Sequence, residues 1–141
     1  MAAAEVLLDS NILIYALSDL PPERVKRDRA KALIATTNFG FSYQVLMETW
    51  VVATRKMAPR VSVDRVAAFL RDLLQFPCVM GTEGLYQQAV HLSERFGIHP
   101  YDAAIVAAAQ ELGASTVYSE DMNHGQDYDG VRVINPFRDA S

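Results

Sequence analysis

Four carboxylates, Asp9, Glu48, Asp102 and Asp121, are the residues of this sequence best able to do chemistry as a group. Asp9 closes the short run Glu5 to Leu8, which reads as a strand. Asp121 follows a second strand-like run, Thr116 to Ser119. Asp102 falls in the first turn of a helix opened by His99-Pro100. Glu48 lies six residues after Ser42, about 9 Å along a helix that Ser42 can cap. In an open α/β sheet, ligands bind beyond the carboxyl ends of the strands, and all four acids can reach that rim.

Glu48 is the most informative of the four. Val45, Val51 and Val52 neighbour it at helical spacing, and Leu46, Met47 and Trp50 flank it. A carboxylate on so apolar a helix is costly unless something compensates it. A buried Glu–Arg pair is the competing explanation. Asp102 heads the stripe Ile105, Val106 and Ala109, although the helix dipole alone favours an acid there. Asp9 is also readable as an Asx-turn, and Asp121 as an ordinary loop acid. Convergence of all four is harder to assign to structure alone.

Clustered carboxylates without partners repel, and at least one pKa rises. A divalent ion removes the conflict, and all-oxygen donors suit Mg²⁺ or Mn²⁺. Zinc is disfavoured, because Cys78, His91, His99 and His124 lack metal-ligand spacing. His99 reads as a helix-entry residue and His124 as a loop residue. Neither G-x-x-x-x-G-K-[ST] nor G-x-G-x-x-G occurs, and there is no G-x-S-x-G. The lone cysteine excludes an internal disulfide and fits a reducing, cytoplasmic setting.

The elements that must position these acids alternate along the chain. Strands are expected at Glu5 to Leu8, Asn38 to Phe41, Cys78 to Met80, Thr116 to Ser119 and Val131 to Ile134. Helices are expected from Ile12 to Leu17 and Pro22 to Ala35, then from Tyr43 to Lys56 and Ser62 to Gln75. Two more are bounded by Thr82 and Gly97, and by His99 and Gly113. This alternation predicts a mostly parallel five-stranded sheet with helices on both faces. With no repeat or linker, the 141 residues are expected to form one domain, 1–141. The longest aliphatic run, Ala103 to Ala109, is far short of the ~20 residues that span a membrane. Met1 to Glu5 lacks the basic and apolar segments of a secretion signal.

The formal net charge of −4 conceals an uneven distribution. Ten basic residues lie between Arg24 and Arg71 (Arg24, Lys26, Arg27, Arg29, Lys31, Arg55, Lys56, Arg60, Arg65, Arg71). Only Asp28, Glu48 and Asp64 oppose them there, a balance of +7, and the rest of the chain carries −11. The functional reading is a polyanion-binding surface beside an acidic, cation-binding site; the plain one is two solvated faces of opposite sign.

The motifs together resemble the PIN domains, particularly the VapC-type ribonuclease toxins of bacterial toxin–antitoxin pairs. Leu7-Leu8-Asp9-Ser10-Asn11-Ile12-Leu13-Ile14-Tyr15 is similar to that family's first strand and D-[ST]-N turn. Ser42 to Glu48 resembles its second motif, Tyr101-Asp102-Ala103-Ala104-Ile105 its third, and Tyr118-Ser119-Glu120-Asp121 its [ST]-x-D motif. The ending Val133-Ile134-Asn135-Pro136-Phe137 is also typical, so nearly the whole chain is covered. The resemblance implies a doubly wound parallel sheet and metal or catalytic roles for Asp9, Glu48, Asp102 and Asp121. It implies that Asn11 and Ser119 hydrogen-bond and orient those acids. Met122-Asn123-His124-Gly125-Gln126 departs from the family's shorter acidic turn, so neither Asp127 nor Asp129 is assigned to the site.

The function so implied is an Mg²⁺- or Mn²⁺-dependent endoribonuclease that leaves 5′-phosphate ends, with the basic helices holding the RNA backbone. A cognate antitoxin and a homodimer are the implied partners. The early helix, with Ile12, Leu13, Tyr15, Ala16 and Leu17, is a candidate interface or else core. A phosphatase using Asp9 as nucleophile is a competing class, but Asn11 stands where its second Asp belongs. An acidic binding module without activity is the other alternative.

Overall fold

The computed structural model describes residues 3–139. Met1 and Ala2, from the segment read as lacking a secretion signal, lie outside the described residues, as do residues 140 and 141. Six strands form the sheet: β1 (Val6–Leu8), β2 (Phe39–Ser42), β3 (Cys78–Val79), β4 (Thr116–Tyr118), β5 (Asp127–Tyr128) and β6 (Val131–Ile134). Among the described residues six α-helices flank it: α1 (Ser10–Leu17), α2 (Arg24–Thr36), α3 (Tyr43–Val51), α4 (Val63–Leu73), α5 (Glu83–Phe96) and α6 (Pro100–Leu112). A 3₁₀ turn (Pro21–Glu23) enters α2, and a π-helical turn (Val52–Lys56) extends α3.

The strand order is β3-β2-β1-β4-β6-β5, and every pairing is parallel except the β5–β6 hairpin. The five strands read from the sequence are therefore the five parallel ones. The sixth, β5, is two residues long and lies between Gly125 and Gly130, too short to show an alternating pattern. It pairs back through a turn in which Asp129 and Gly130 both have positive φ, the geometry of a tight hairpin.

Burial explains the central order. All residues of β1 and β2 are buried, as expected for parallel strands covered on both faces. From α6, Ile105, Val106 and Ala109 join the core with Leu7, Leu8, Phe39 and Val117. The early helix is core too: Ile12 and Leu13 are fully buried, and Ala16 and Leu17 nearly so. Of the two alternatives for this helix, interface or core, the burial is that of core, with only Tyr15 of those five residues part-exposed. The helix is apolar on all sides since α2 and α3 both pack on it.

The caps fall where the sequence places them. Ser42, Ser62 and Thr82 accept from the backbone N–H three residues on, at 3.3, 3.2 and 3.1 Å. Helix α1 begins earlier than the apolar pattern suggests, at Ser10, because Asp9 supplies its N-cap.

Gly40 marks the tightest approach of helix to sheet. A Cβ there would sit 2.9 Å from Leu112 Cδ1 and 2.9 Å from the Pro77 carbonyl oxygen. The leucine can turn away, but the backbone oxygen cannot. Gly40→Ala is expected to lower stability by about 1–3 kcal/mol, read from the urea unfolding midpoint. An unchanged midpoint would show that β2 has slack against Pro77.

Candidate active site

The rim is set by the pairing of β1 with β4. Their parallel ladder ends where the Asp9 N–H donates to the Tyr118 carbonyl at 3.0 Å. One residue further along each strand, Ser119 Oγ donates to Asp9 Oδ2 at 2.8 Å. Asp9 Oδ1 accepts from the Ser10 N–H at 2.8 Å, so the carboxylate caps α1 while facing the rim.

From this pair the contacts spread outward. Ser10 Oγ donates to Glu48 Oε1 at 2.8 Å, tying α3 to the end of β1. Asn11 Nδ2 donates to Asp121 Oδ2 at 3.2 Å and reaches Ser119 Oγ at 3.5 Å. The Asp121 N–H also donates to Ser119 Oγ, and Asn11 Oδ1 accepts from the Glu120 N–H, each at 3.2 Å. Asp102 arrives on the first turn of α6, whose far end lies beside the start of β1 (Ala3 N–H to Leu112 carbonyl, 2.8 Å). Its amino end is therefore at the opposite, carboxyl-end rim. Gln44 of α3 donates to the Tyr101 carbonyl at 3.3 Å across the same rim.

The acids feel one another. The Asp9 carboxyl is pushed up to about 6, chiefly by burial, with the charges of Glu48 and Asp121 adding and the Ser119 and Ser10 hydrogen bonds opposing. Asp102 is raised as well, first by burial; His99 lowers it and Asp121 raises it further. Neither Asp127 nor Asp129 acts on these two carboxyls. Asp127 accepts from the Gly130 N–H and lies 3.8 Å from Arg132, and Asp129 pairs with Arg95 at 2.8 Å. Asp127 is thus engaged within the β5–β6 hairpin, and Asp129 ties that hairpin to Arg95.

Two expectations about Glu48 change. It is exposed, so the cost of burying a carboxylate on an apolar helix does not arise. Helix α3 buries only Val45 and Thr49, a narrow stripe, and Met47 is 46% exposed beside Glu48. Nor does any Arg or Lys pair with Glu48 among the described residues; its partner is the Ser10 hydroxyl. Ser10 was thus a missed contributor, signalled only by standing between Asp9 and Asn11. Glu120 was missed likewise. It alternates with Ser119 and Asp121 and points the other way, to Tyr15 and Lys26.

As placed, no three His, Cys, Asp or Glu side chains among the described residues close around one point as metal ligands do. The donor chemistry nonetheless fits a hard cation, since the set is all oxygen and the negative charges of Glu48 and Asp121 act on Asp9, and that of Asp121 on Asp102. The remaining nitrogen and sulfur ligands do not compete. His99 Nδ1 accepts from the Tyr101 N–H, His124 Nδ1 from the Asn135 N–H, and Cys78 lies part-buried on β3.

Fold and rim together define an α/β domain with an acidic edge, and comparison with known families gives it a place. The PIN domain profile matches residues 6–126, and the chain belongs to the PIN domain family. No curated protein matches it. Among solved structures it is similar to the Mycobacterium tuberculosis VapC20, a sarcin-ricin loop cleaving toxin. The TM-score is 0.67 at 20% identity, covering 84% of this chain and 91% of that one. A toxin–antitoxin complex from Klebsiella pneumoniae gives 0.65 at 22% identity, over 93% and 97%. DNA-bound VapBC from Salmonella typhimurium gives 0.62 at 18%, over 94% and 98%.

The raised Asp9 carboxyl has a measurable sign. Its folded pKa of about 6 exceeds the usual 3.8, so the folded state binds the proton more tightly. Metal-free protein should therefore lose stability as pH rises from about 4 to about 6, and keep that loss above. Asp9→Asn retains a capping side chain and removes the charge. Relative to wild type it is expected to gain up to about 3 kcal/mol between pH 4 and pH 8, set against a constant cost at both for the hydrogen bond its amide nitrogen cannot accept. Urea melts in EDTA at the two pH values check this; equal differences at both would refute it.

Proposed function

We propose that the chain is a metal-dependent endoribonuclease that hydrolyses RNA phosphodiester bonds, and that it is the toxin of a toxin–antitoxin pair. The observation that carries the reading is the gathering of Asp9, Glu48, Asp102 and Asp121 on one rim of a PIN-family sheet, with the Asp9 carboxyl raised chiefly by its burial there and further by the charges of Glu48 and Asp121. Asp9 and Asp102 would be the main ligands of Mg²⁺ or Mn²⁺, with Glu48 and Asp121 completing the set. When bound, such an ion lowers the pKa of water and offsets negative charge developing on the scissile phosphate.

The chain's own groups supply orientation and proton handling. Ser119 and Ser10 fix both oxygens of Asp9, and Asn11 fixes one oxygen of Asp121. Glu48 gives Oε1 to the Ser10 hydroxyl and keeps Oε2 for the proton leaving an attacking water. Exposed Arg55, Lys56 and Arg60 at the end of α3 form no ion pair among the described residues and suit the RNA backbone. Using Asp9 as a phosphate-accepting nucleophile fits less well, because Asn11 stands two residues on, where that chemistry needs a second Asp. The open placement of the acids favours one other reading, an acidic binding module without activity.

Partner surfaces follow from the same reading. Ala16, Leu17, Ile34, Ala35 and Phe69 line a 330 Å³ cavity between α1, α2 and α4, flanked by Lys31 and Arg65. Arg65 is already paired with Asp19 at 2.7 Å, so an apolar floor beside Lys31 suits an amphipathic antitoxin helix with an acid facing that lysine. Self-association would use the exposed rings of Tyr86 and Tyr101, 68% and 71% exposed beside a 610 Å³ groove, in place of the buried face of α1. A cytoplasmic location belongs to this reading. No helix among the described residues is long and apolar enough to cross a membrane.

Incubating the purified chain with total RNA and Mg²⁺ or Mn²⁺ tests the proposal. Cleavage is expected to leave 5′-phosphate ends, to stop with EDTA and to weaken steeply with added salt. Asp9→Asn and Asp102→Asn should each slow it by about 100-fold or more. If both variants cut at the wild-type rate, or EDTA has no effect, the metal-dependent reading of the rim fails; no cleavage at all leaves the binding module standing.

A further inference from the structure

Behind the acidic rim lies a second charged group that the proposed chemistry does not use. Tyr15 Oη donates to Glu120 Oε1 at 2.6 Å, and Lys26 Nζ donates to Glu120 Oε2 at 2.7 Å. Lys26 also donates to Tyr15 Oη at 3.2 Å, with its ammonium 5.0 Å from the centre of the Tyr15 ring. The three side chains thus close a triangle in which every polar atom of the carboxylate is used. The Lys26 and Glu120 side chains are 28% and 25% exposed, so the pair is less screened than one on the open surface. The Glu120 hydrogen bond is the first cause holding the Lys26 ammonium above its usual range, which keeps it charged. The Tyr15 ring is itself fixed edge-on against Phe137, centroids 4.9 Å apart, and Phe137 is buried.

The triangle's position gives it meaning. Glu120 is the middle residue of Ser119-Glu120-Asp121, and its neighbours face the rim through Asp9 and Asn11. The same three residues are therefore held at two points one turn apart on one face of α1. Asn11 takes the Glu120 N–H and Asp121, while Tyr15, one turn along the helix, takes the Glu120 carboxylate. Lys26 brings in α2 as the third support. A carboxylate pulled away from the rim by a lysine also removes a fifth negative charge from four acids that already repel.

We propose that Tyr15, Lys26 and Glu120 are positioning residues: together they clamp the Ser119–Asp121 turn against α1 and thereby set the affinity of the acidic rim for its divalent cation. The role in cation affinity rests on the reading of the rim as a metal site; the clamping of the turn does not. Releasing the clamp lets the turn move away from Asn11, so Asp121 and the Ser119 hydroxyl no longer hold their places relative to Asp9.

Two readouts on the whole chain separate the two parts. Hydrogen exchange at the Glu120 and Asp121 amides is followed in metal-free wild type, Tyr15→Phe, Lys26→Met, Lys26→Arg and Glu120→Gln. Mn²⁺ affinity of the same proteins is read by electron paramagnetic resonance of the free ion, without RNA. Tyr15→Phe keeps the ring against Phe137 and loses only the hydroxyl, so it tests the clamp without opening the core. The expected result is faster exchange at both amides and about 10-fold weaker Mn²⁺ binding in Glu120→Gln and Lys26→Met. Lys26→Arg should restore most of both, because charge and donors return. The Lys26→Met/Glu120→Gln double variant should be no worse than either single one. Unchanged amide exchange in all variants overturns the clamp. Faster exchange with unaltered Mn²⁺ affinity overturns the link to the cation. Faster exchange in a chain whose wild type binds no Mn²⁺ keeps the clamp, and refutes both that link and the metal-site reading beneath it.

Discussion

The register of β1 against β4 is the constraint on which the site depends. Parallel pairing sets Leu8 beside Tyr118, so the next residues along, Asp9 and Ser119, emerge side by side at the rim. A slip of one residue would reverse which face each side chain meets and separate the hydroxyl from the carboxylate. The register is held by the burial of Val6, Leu7, Leu8 and Val117, with α6 packed across them. Core packing and site geometry are therefore one specification here.

Around that fixed pair, the fold distributes charge by helix termini. Helices α1, α3 and α6 all present their amino ends to the rim, where partial positive charge favours acids. Asp9 caps the first and Asp102 sits in the first turn of the last, while Glu48 is carried a turn further along α3. These ends favour the acids, yet the Asp9 carboxyl still rises to about 6, chiefly because it is buried, with the charges of Glu48 and Asp121 adding to that. The basic span is likewise less uniform than its sum suggests. Lys26 and Arg65 are paired with Glu120 and Asp19, and Arg29 donates to the Pro136 carbonyl at 2.9 Å. The cations at the end of α3 stay open to a ligand.

Much of this was legible because turn chemistry is local. Ser42, Ser62 and Thr82 announce helix starts, and the alternation of strands and helices implies the parallel sheet. The acids at strand and helix ends followed from the same grammar. What could not be read was the third dimension of neighbouring side chains. The apolar surroundings of Glu48 suggested burial, yet exposure depends on which stripe of α3 meets the core. The apolar α1 gave no sign of whether another chain or its own α2 and α3 cover it. The pull of Lys26 on Glu120 spans 94 positions and leaves no periodic trace. The hairpin strand β5, at two residues, falls below any pattern.

The hydrogen bonds at the rim also have a direction. The Asn11 amide and the Asp121 N–H both donate into Ser119 Oγ, whose single proton passes on to Asp9. Since the oxygen is already approached by two donors, it has no acceptor capacity left for a proton coming back from Asp9. When Asp9 is neutral, its proton must sit on an edge of the carboxyl that neither serine occupies. Ser119 thus holds Asp9 as an acceptor on that side, and proton uptake by Asp9 is confined to its open edge.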